Sequence, residues 1–269
     1  MYGRLAVLKN ILWAISIVVC LAALLVGLIF AAAVKYDGSG QIDSNAPAAA
    51  LPTPGLPMVG DGTLRTLAET SDGGQSYVES LTFLCDSSLI GLRDYGLLPG
   101  GVNTMQVWGS MAGNIPAANI ASCLIRYPAD GSEISPANAA TVSQPSVLVL
   151  SLGCDSLAGT TEEDFITNYS SLITAIRAAS PNTTILCCSL IGVTGSYAGS
   201  DGLTNELVRQ ANEWITQVCK DTGAIFVDVA SAVCDASGGL YSEYASANGK
   251  TLNSAGINEV LLYLRTHTI

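Results

Sequence analysis

Histidine is almost missing from this chain of 269 residues: the single imidazole is His267, third from the C-terminus. That scarcity leaves at most one side chain suited to general-base work near neutral pH. Cations are also few, since 11 Lys and Arg face 22 Asp and Glu for a net charge of −11. Binding a phosphate backbone needs a broad basic surface, which this chain lacks, so nucleic acid is excluded as a partner. None of the 8 cysteines stands in the C-x-x-C spacing of a zinc site, and no cofactor motif or internal repeat is present, so neither metal nor cofactor is expected.

What the chain does have begins at its N-terminus. Every residue from Ile11 to Val34 is uncharged and nearly all are apolar. At about 1.5 Å per residue this stretch exceeds the roughly 30 Å hydrocarbon core of a bilayer. Residues 11–34 are therefore expected to form a transmembrane helix whose partner is the lipid bilayer. Arg4 and Lys9 precede it, whereas Asp37 and Asp43 follow soon after, which places residues 1–10 in the cytoplasm and the rest outside the cell membrane. The rival reading is a signal peptide cleaved near Ala31-Ala32-Ala33. Its apolar core would usually run about 7–15 residues, so the length favours an uncleaved anchor. All 22 acidic residues and 8 of the 11 basic ones follow Tyr36, so the exterior part carries −14, a charge that keeps it soluble.

Residues 35–75 are rich in Gly, Ala, Pro, Ser and Asp without a sustained apolar period, and read as a flexible extracytoplasmic stalk. From 76 to 269, strands and helices alternate. Apolar runs at 81–85, 104–108, 146–152, 183–188 and 224–228 suit a parallel sheet covered on both faces. Thr161 starts a capping box before Phe165, Tyr169, Leu172, Ile173 and Ile176, which recur at helical spacing. Further helical stripes run from Leu203 to Val218 and from Ile257 to Leu264. The pattern predicts an α/β domain, a three-layer αβα sandwich with a flavodoxin-like five-stranded parallel sheet whose ligands sit beyond the strand ends.

The residues at those ends carry a recognisable pattern. Cys85-Asp86-Ser87 follows the first strand, with Gly91 four residues on. Gly153-Cys154-Asp155-Ser156 follows the central one, and Asn248-Gly249-Lys250-Thr251-Leu252 precedes the last helix with Gly256 beyond. In this order the segments, from about Ser80 to the C-terminus, resemble the blocks of the SGNH/GDSL hydrolases. The resemblance implies hydrolysis of small esters, often acetyl groups on carbohydrate or lipid, through an acyl-serine. It places Ser87 at the nucleophile and Gly109 at the second-block oxyanion donor, with Gly113 as competitor. Asp155 falls at the oxyanion asparagine, Asn248 at the triad aspartate and Thr251 at the triad histidine.

Three of those positions thus hold the wrong chemistry. Triad members act as a unit, and Thr251 cannot accept a proton at neutral pH. A carboxylate aimed at the oxyanion would oppose the charge it should stabilise. The implied protein is a catalytically degenerate hydrolase retained as a binding or scaffolding module at the cell envelope, for a glycan or ester-bearing ligand. The alternative is a weak or unconventional serine esterase acting on envelope carbohydrate or lipid esters through Ser87, with Asp86, Asp155 or a neighbour as base. Ser87 or Ser88 could instead cap the next helix. Cys85 and Cys154 could face each other as a disulfide or metal pair, or lie buried as small hydrophobes.

Overall fold

The computed structural model describes residues 60–269, all within the compact unit Pro52–Ile269. The expected cytoplasmic tail, transmembrane helix and most of the stalk lie outside the described residues. Among the described residues no helix is long and apolar enough to cross a membrane.

In chain order the elements are β1 (Arg65–Thr66), α1 (Gly74–Ser80), β2 (Leu81–Cys85), α2 (Gly91–Asp94), β3 (Val107–Trp108), β4 (Ile125–Arg126), β5 (Glu133–Ile134) and α3 (Pro136–Ser143). There follow β6 (Val147–Ser151), α4 (Glu162–Ala179), β7 (Thr184–Cys188), α5 (Asn205–Thr222), β8 (Ile225–Val227) and α6 (Ser254–Arg265). The main sheet runs β3-β2-β6-β7-β8-β1 and every neighbouring pair is parallel. Its five expected strands take the flavodoxin-like order. A sixth, β1, comes from the segment read as stalk. Gly60 donates to the Asp221 carbonyl, Thr70 and Gly73 donate to the carbonyls of Thr266 and Arg265, and Arg265 pairs with Asp72. Leu64 and Leu67, partly buried, add one apolar contact to each core layer, a signature too sparse to show as a period in the sequence. The β4–β5 hairpin is likewise short and two-stranded.

Strand alternation divides the core into two layers. Leu84, Leu148 and Leu150 pack with Phe165, Ile173 and Ile215 under α4 and α5. Phe83, Val149 and Leu186 face the other way, onto Val78 of α1 and Ile257, Val260 and Leu264 of α6. Each such side chain, fully buried, contributes about 1.5–3 kcal/mol. The helices start at polar caps: Thr161 accepts from the Asp164 amide, Thr204 from Leu207 and Asn253 from Gly256.

Candidate functional site

At the carboxyl end of the sheet, the turns after β2 and β6 meet because their strands are paired from Leu81 against Val147 to Cys85 against Ser151. Each turn supplies a carboxylate that binds the amides of the other. Asp86, fully buried, accepts from the Gly153 and Cys154 amides through Oδ2, each at 2.8 Å. Its Oδ1 takes the Ser88 amide at 2.9 Å and the Ser88 hydroxyl at 2.6 Å. Ser88 Oγ also meets Ser151 Oγ at 2.8 Å. Gly153 adopts φ +116°, and an added Cβ would lie 2.7 Å from the Phe165 ring, so the turn that presents these amides requires glycine.

Asp155 answers in the opposite direction. Its Oδ1 accepts from the Ser87 hydroxyl at 2.5 Å. Its Oδ2 accepts from two backbone amides, Ser87 at 3.1 Å and Ile115 at 2.9 Å. Two amides converging on one oxygen beside a serine hydroxyl is the geometry of an oxyanion hole, and here the oxygen belongs to the protein itself. The Asp155 carboxylate thus accepts from one hydroxyl and two backbone amides at once.

Asp86 does not titrate as an ordinary carboxylate. Burial, reinforced by the negative charge of Asp155, raises the Asp86 pKa to about 6, despite the opposing hydrogen bonds from Ser88 and Cys154. Burial likewise pushes the Cys85 and Cys154 thiols well above the ordinary range, with the Asp86 charge adding to it. Neither sulfur is an activated nucleophile.

The segment before α6 keeps a pairing without its usual chemistry. Asn248 Oδ1 accepts from the amides of Lys250 and Thr251 at 2.9 and 3.0 Å, and Asn248 Nδ2 donates to Thr251 Oγ1 at 3.1 Å. The side chains expected at the triad aspartate and histidine are thus in contact, but no hydrogen bond among the described residues links Thr251 to Ser87. Beside them Lys250 Nζ pairs with Asp201 Oδ2 at 2.9 Å, and Tyr197 donates to Asp201 Oδ1 at 2.6 Å. The Tyr197 hydrogen bond, followed by that of Lys250, lowers the Asp201 pKa to about 2. Burial works against the Lys250 ammonium, yet Asp201, with Cys154 and Asp155 nearby, leaves its pKa above the ordinary value. Lys250 is therefore a cation facing the site and not a base.

Several expectations are corrected by this geometry. Ser87 and Ser88 cap nothing: α2 has Ile90 at its N-cap, with no side-chain cap bond, because both hydroxyls donate to carboxylates instead. Gly109 accepts from the Arg126 amide through its carbonyl, and an added Cβ there would lie 2.3 Å from Ile90 Cδ1. The amide that reaches the site is that of Ile115. Cys85 and Cys154 are free and belong to opposite core layers, so they do not face each other. His267 stacks on Tyr263 at 3.8 Å and its Nδ1 bonds the Tyr263 carbonyl at 2.9 Å, at the far end of α6 from the site.

A model of the GDSL-like lipase/acylhydrolase family matches residues 117–257, which takes in Asp155, Asn248 and Thr251 and begins past Ser87. No curated protein matches the chain. A solved structure from Streptococcus pneumonia, provisionally described as a platelet activating factor, is similar at 17% identity over 69% of this chain and 82% of that one, with a TM-score of 0.51. A carbohydrate esterase family 3 structure from Talaromyces cellulolyticus is 16% identical over 67% and 91%, with a TM-score of 0.43. A GDSL-like lipase from Bacteroides thetaiotaomicron is 14% identical over 68% and 84%, with a TM-score of 0.45.

Proposed function

The chain belongs to the GDSL-like lipase/acylhydrolase family, and from that premise we propose that it is a member without ordinary ester-hydrolysing activity. In this reading the domain binds or scaffolds at the extracytoplasmic face of the cell envelope, held to the membrane by residues 11–34, with an envelope glycan or ester-bearing molecule as its ligand. The observation that carries it is the Asp155 carboxylate, which takes the Ser87 hydroxyl and both convergent amides at once. A substrate carbonyl would have to displace a charged, tethered competitor. A neutral threonine at the base position adds to the deficit, since a missing base alone removes most of what a triad provides.

A second reading is favoured by the 2.5 Å contact itself: Asp155 is the only carboxylate bonded to the Ser87 hydroxyl among the described residues and would be the base of a weak serine esterase. Asp86 is spent on Ser88 and the β6 turn, so it does not serve. The two readings separate when the full-length chain, detergent-solubilised, is assayed on p-nitrophenyl acetate and on an O-acetylated oligosaccharide. The first expects rates equal to those of Ser87→Ala. Turnover that is lost in Ser87→Ala would establish the second.

A further inference from the structure

Beside the Ser87 pocket, but outside it, lies a cavity of about 550 Å³ along the β3 edge of the sheet, a size typical of small-ligand sites. Only eight Lys and Arg occur in residues 60–269, and two of them, Arg93 and Arg126, line this one cavity. Four of the other basic residues have tasks elsewhere: Arg209, Lys250 and Arg265 are in ion pairs, and Arg177 is bonded to the Thr222 carbonyl.

Arg126 differs from these. It sits on β4 directly opposite Glu133, yet no carboxylate lies within ion-pairing distance of its guanidinium and no hydrogen bond to its side chain is found among the described residues. Its amide bonds the Gly109 carbonyl at 2.9 Å, and its guanidinium lies 3.7 Å from where a Cβ on Gly131 would be, so the hairpin holds it over the cavity. Arg93 spends Nε and Nη2 on one exposed oxygen of Asp94. The only acidic side chain in the lining is Asp130, whose Oδ1 accepts from the amide and hydroxyl of Ser132. An unpaired guanidinium in a strongly acidic domain therefore faces an open cavity with its five donors available.

We propose that this cavity binds an acidic saccharide, a sugar bearing a carboxylate, sulfate or phosphate group. The oxyanion is taken by the fork of Arg126 with Arg93 beside it, the planar bidentate recognition for which arginine is suited. Asn103 offers an amide to sugar hydroxyls, while Met111 and Val102, each 61% exposed, provide apolar surface for a ring face. Ser110 and Met111 form the cavity wall and Ile115, five residues past Ser110, donates to Asp155, so the cavity and the Ser87 pocket share one loop. The assignment does not depend on whether Ser87 is silent.

The test is calorimetric titration of the full-length, detergent-solubilised chain with glucuronate, glucose 6-phosphate, glucose and inorganic phosphate. Saturable binding of both acidic sugars and none of glucose is expected, weakening with salt. Arg126→Gln should bind them about tenfold or more weakly, with Arg126→Lys between, and Ser87→Ala should bind as the parent does. Circular dichroism confirms that each variant is folded. No saturable binding by the parent, or equal binding by folded Arg126→Gln, overturns the site. Inorganic phosphate bound as tightly as glucose 6-phosphate overturns the saccharide.

Discussion

On the proposed reading, the two halves of the reactive end of this domain depart from a serine hydrolase in different ways. Between β2 and β6 the pocket is intact as geometry and filled: a carboxylate sits where two amides and a hydroxyl converge. Before α6 the partner side chains still touch, Asn248 on Thr251, but neither can move a proton near neutral pH. In that reading one half is blocked by an added charge, the other by the removal of titratable groups. A filled pocket is part of the structure and should be felt in stability, whereas a neutral surface pair should be felt only when chemistry is restored to it.

The largest effect is expected from restoring both halves together. Asp155→Asn with Asn248→Asp and Thr251→His should raise hydrolysis of p-nitrophenyl acetate about 10³-fold over the parent, combining a hole donor with a general base. Asp155→Asn alone should gain little. A single substitution that matched the triple variant would break the division into two deficits.

The next effect concerns the buried carboxylate pair. Asp86 titrates at about 6 in the fold against an ordinary 3.8, so between those values the native chain holds a proton that the unfolded chain has released. Stability contributed by that proton is present below about pH 4 and is lost as pH rises through about 6, a total near 3 kcal/mol. Chemical denaturation between pH 4 and 7 should show this slope, and Asp86→Asn should flatten it. Asp201, lowered to about 2, acts in a separate, more acidic window and with the opposite sign.

Asp155→Ala leaves the Ser87 and Ile115 amides without their acceptor and should cost about 1–3 kcal/mol in denaturant titration. Acetate at millimolar concentration should restore part of it by entering the vacated pocket. Thr251→Ala, on the neutral half and partly exposed, should cost less than about 1 kcal/mol and show no response to acetate. Equal losses at the two positions would erase the contrast between them.

Much of this was legible before any coordinates. The runs at 81–85 and 183–188 are apolar on both faces, which only a covered parallel strand explains, and Thr161 marks a helix start that the fold uses. Asp86, Ser87 and Asp155 are brought together because their strands are neighbours in the flavodoxin-like order. What escaped was carried by the main chain or by pairing. The Ile115 amide has no letter in a sequence, since any residue but proline supplies one. The docking of residues 60–73 rests largely on main-chain bonds with only Leu64 and Leu67 as apolar contacts, and Lys250 joins Asp201 across 49 positions that no local pattern connects. At Gly109 the letter alone does not say whether the bulk of Ile90 or an oxyanion asks for the missing side chain.

The central claim is that the Ser87 hydroxyl, held by Asp155 and without a base, does not become a nucleophile. Treatment of the full-length chain with a fluorophosphonate, read by intact mass, tests it most directly. No adduct should form in the parent at neutral pH, while the triple variant should be labelled at Ser87. An adduct on the parent that disappears in Ser87→Ala would contradict the account.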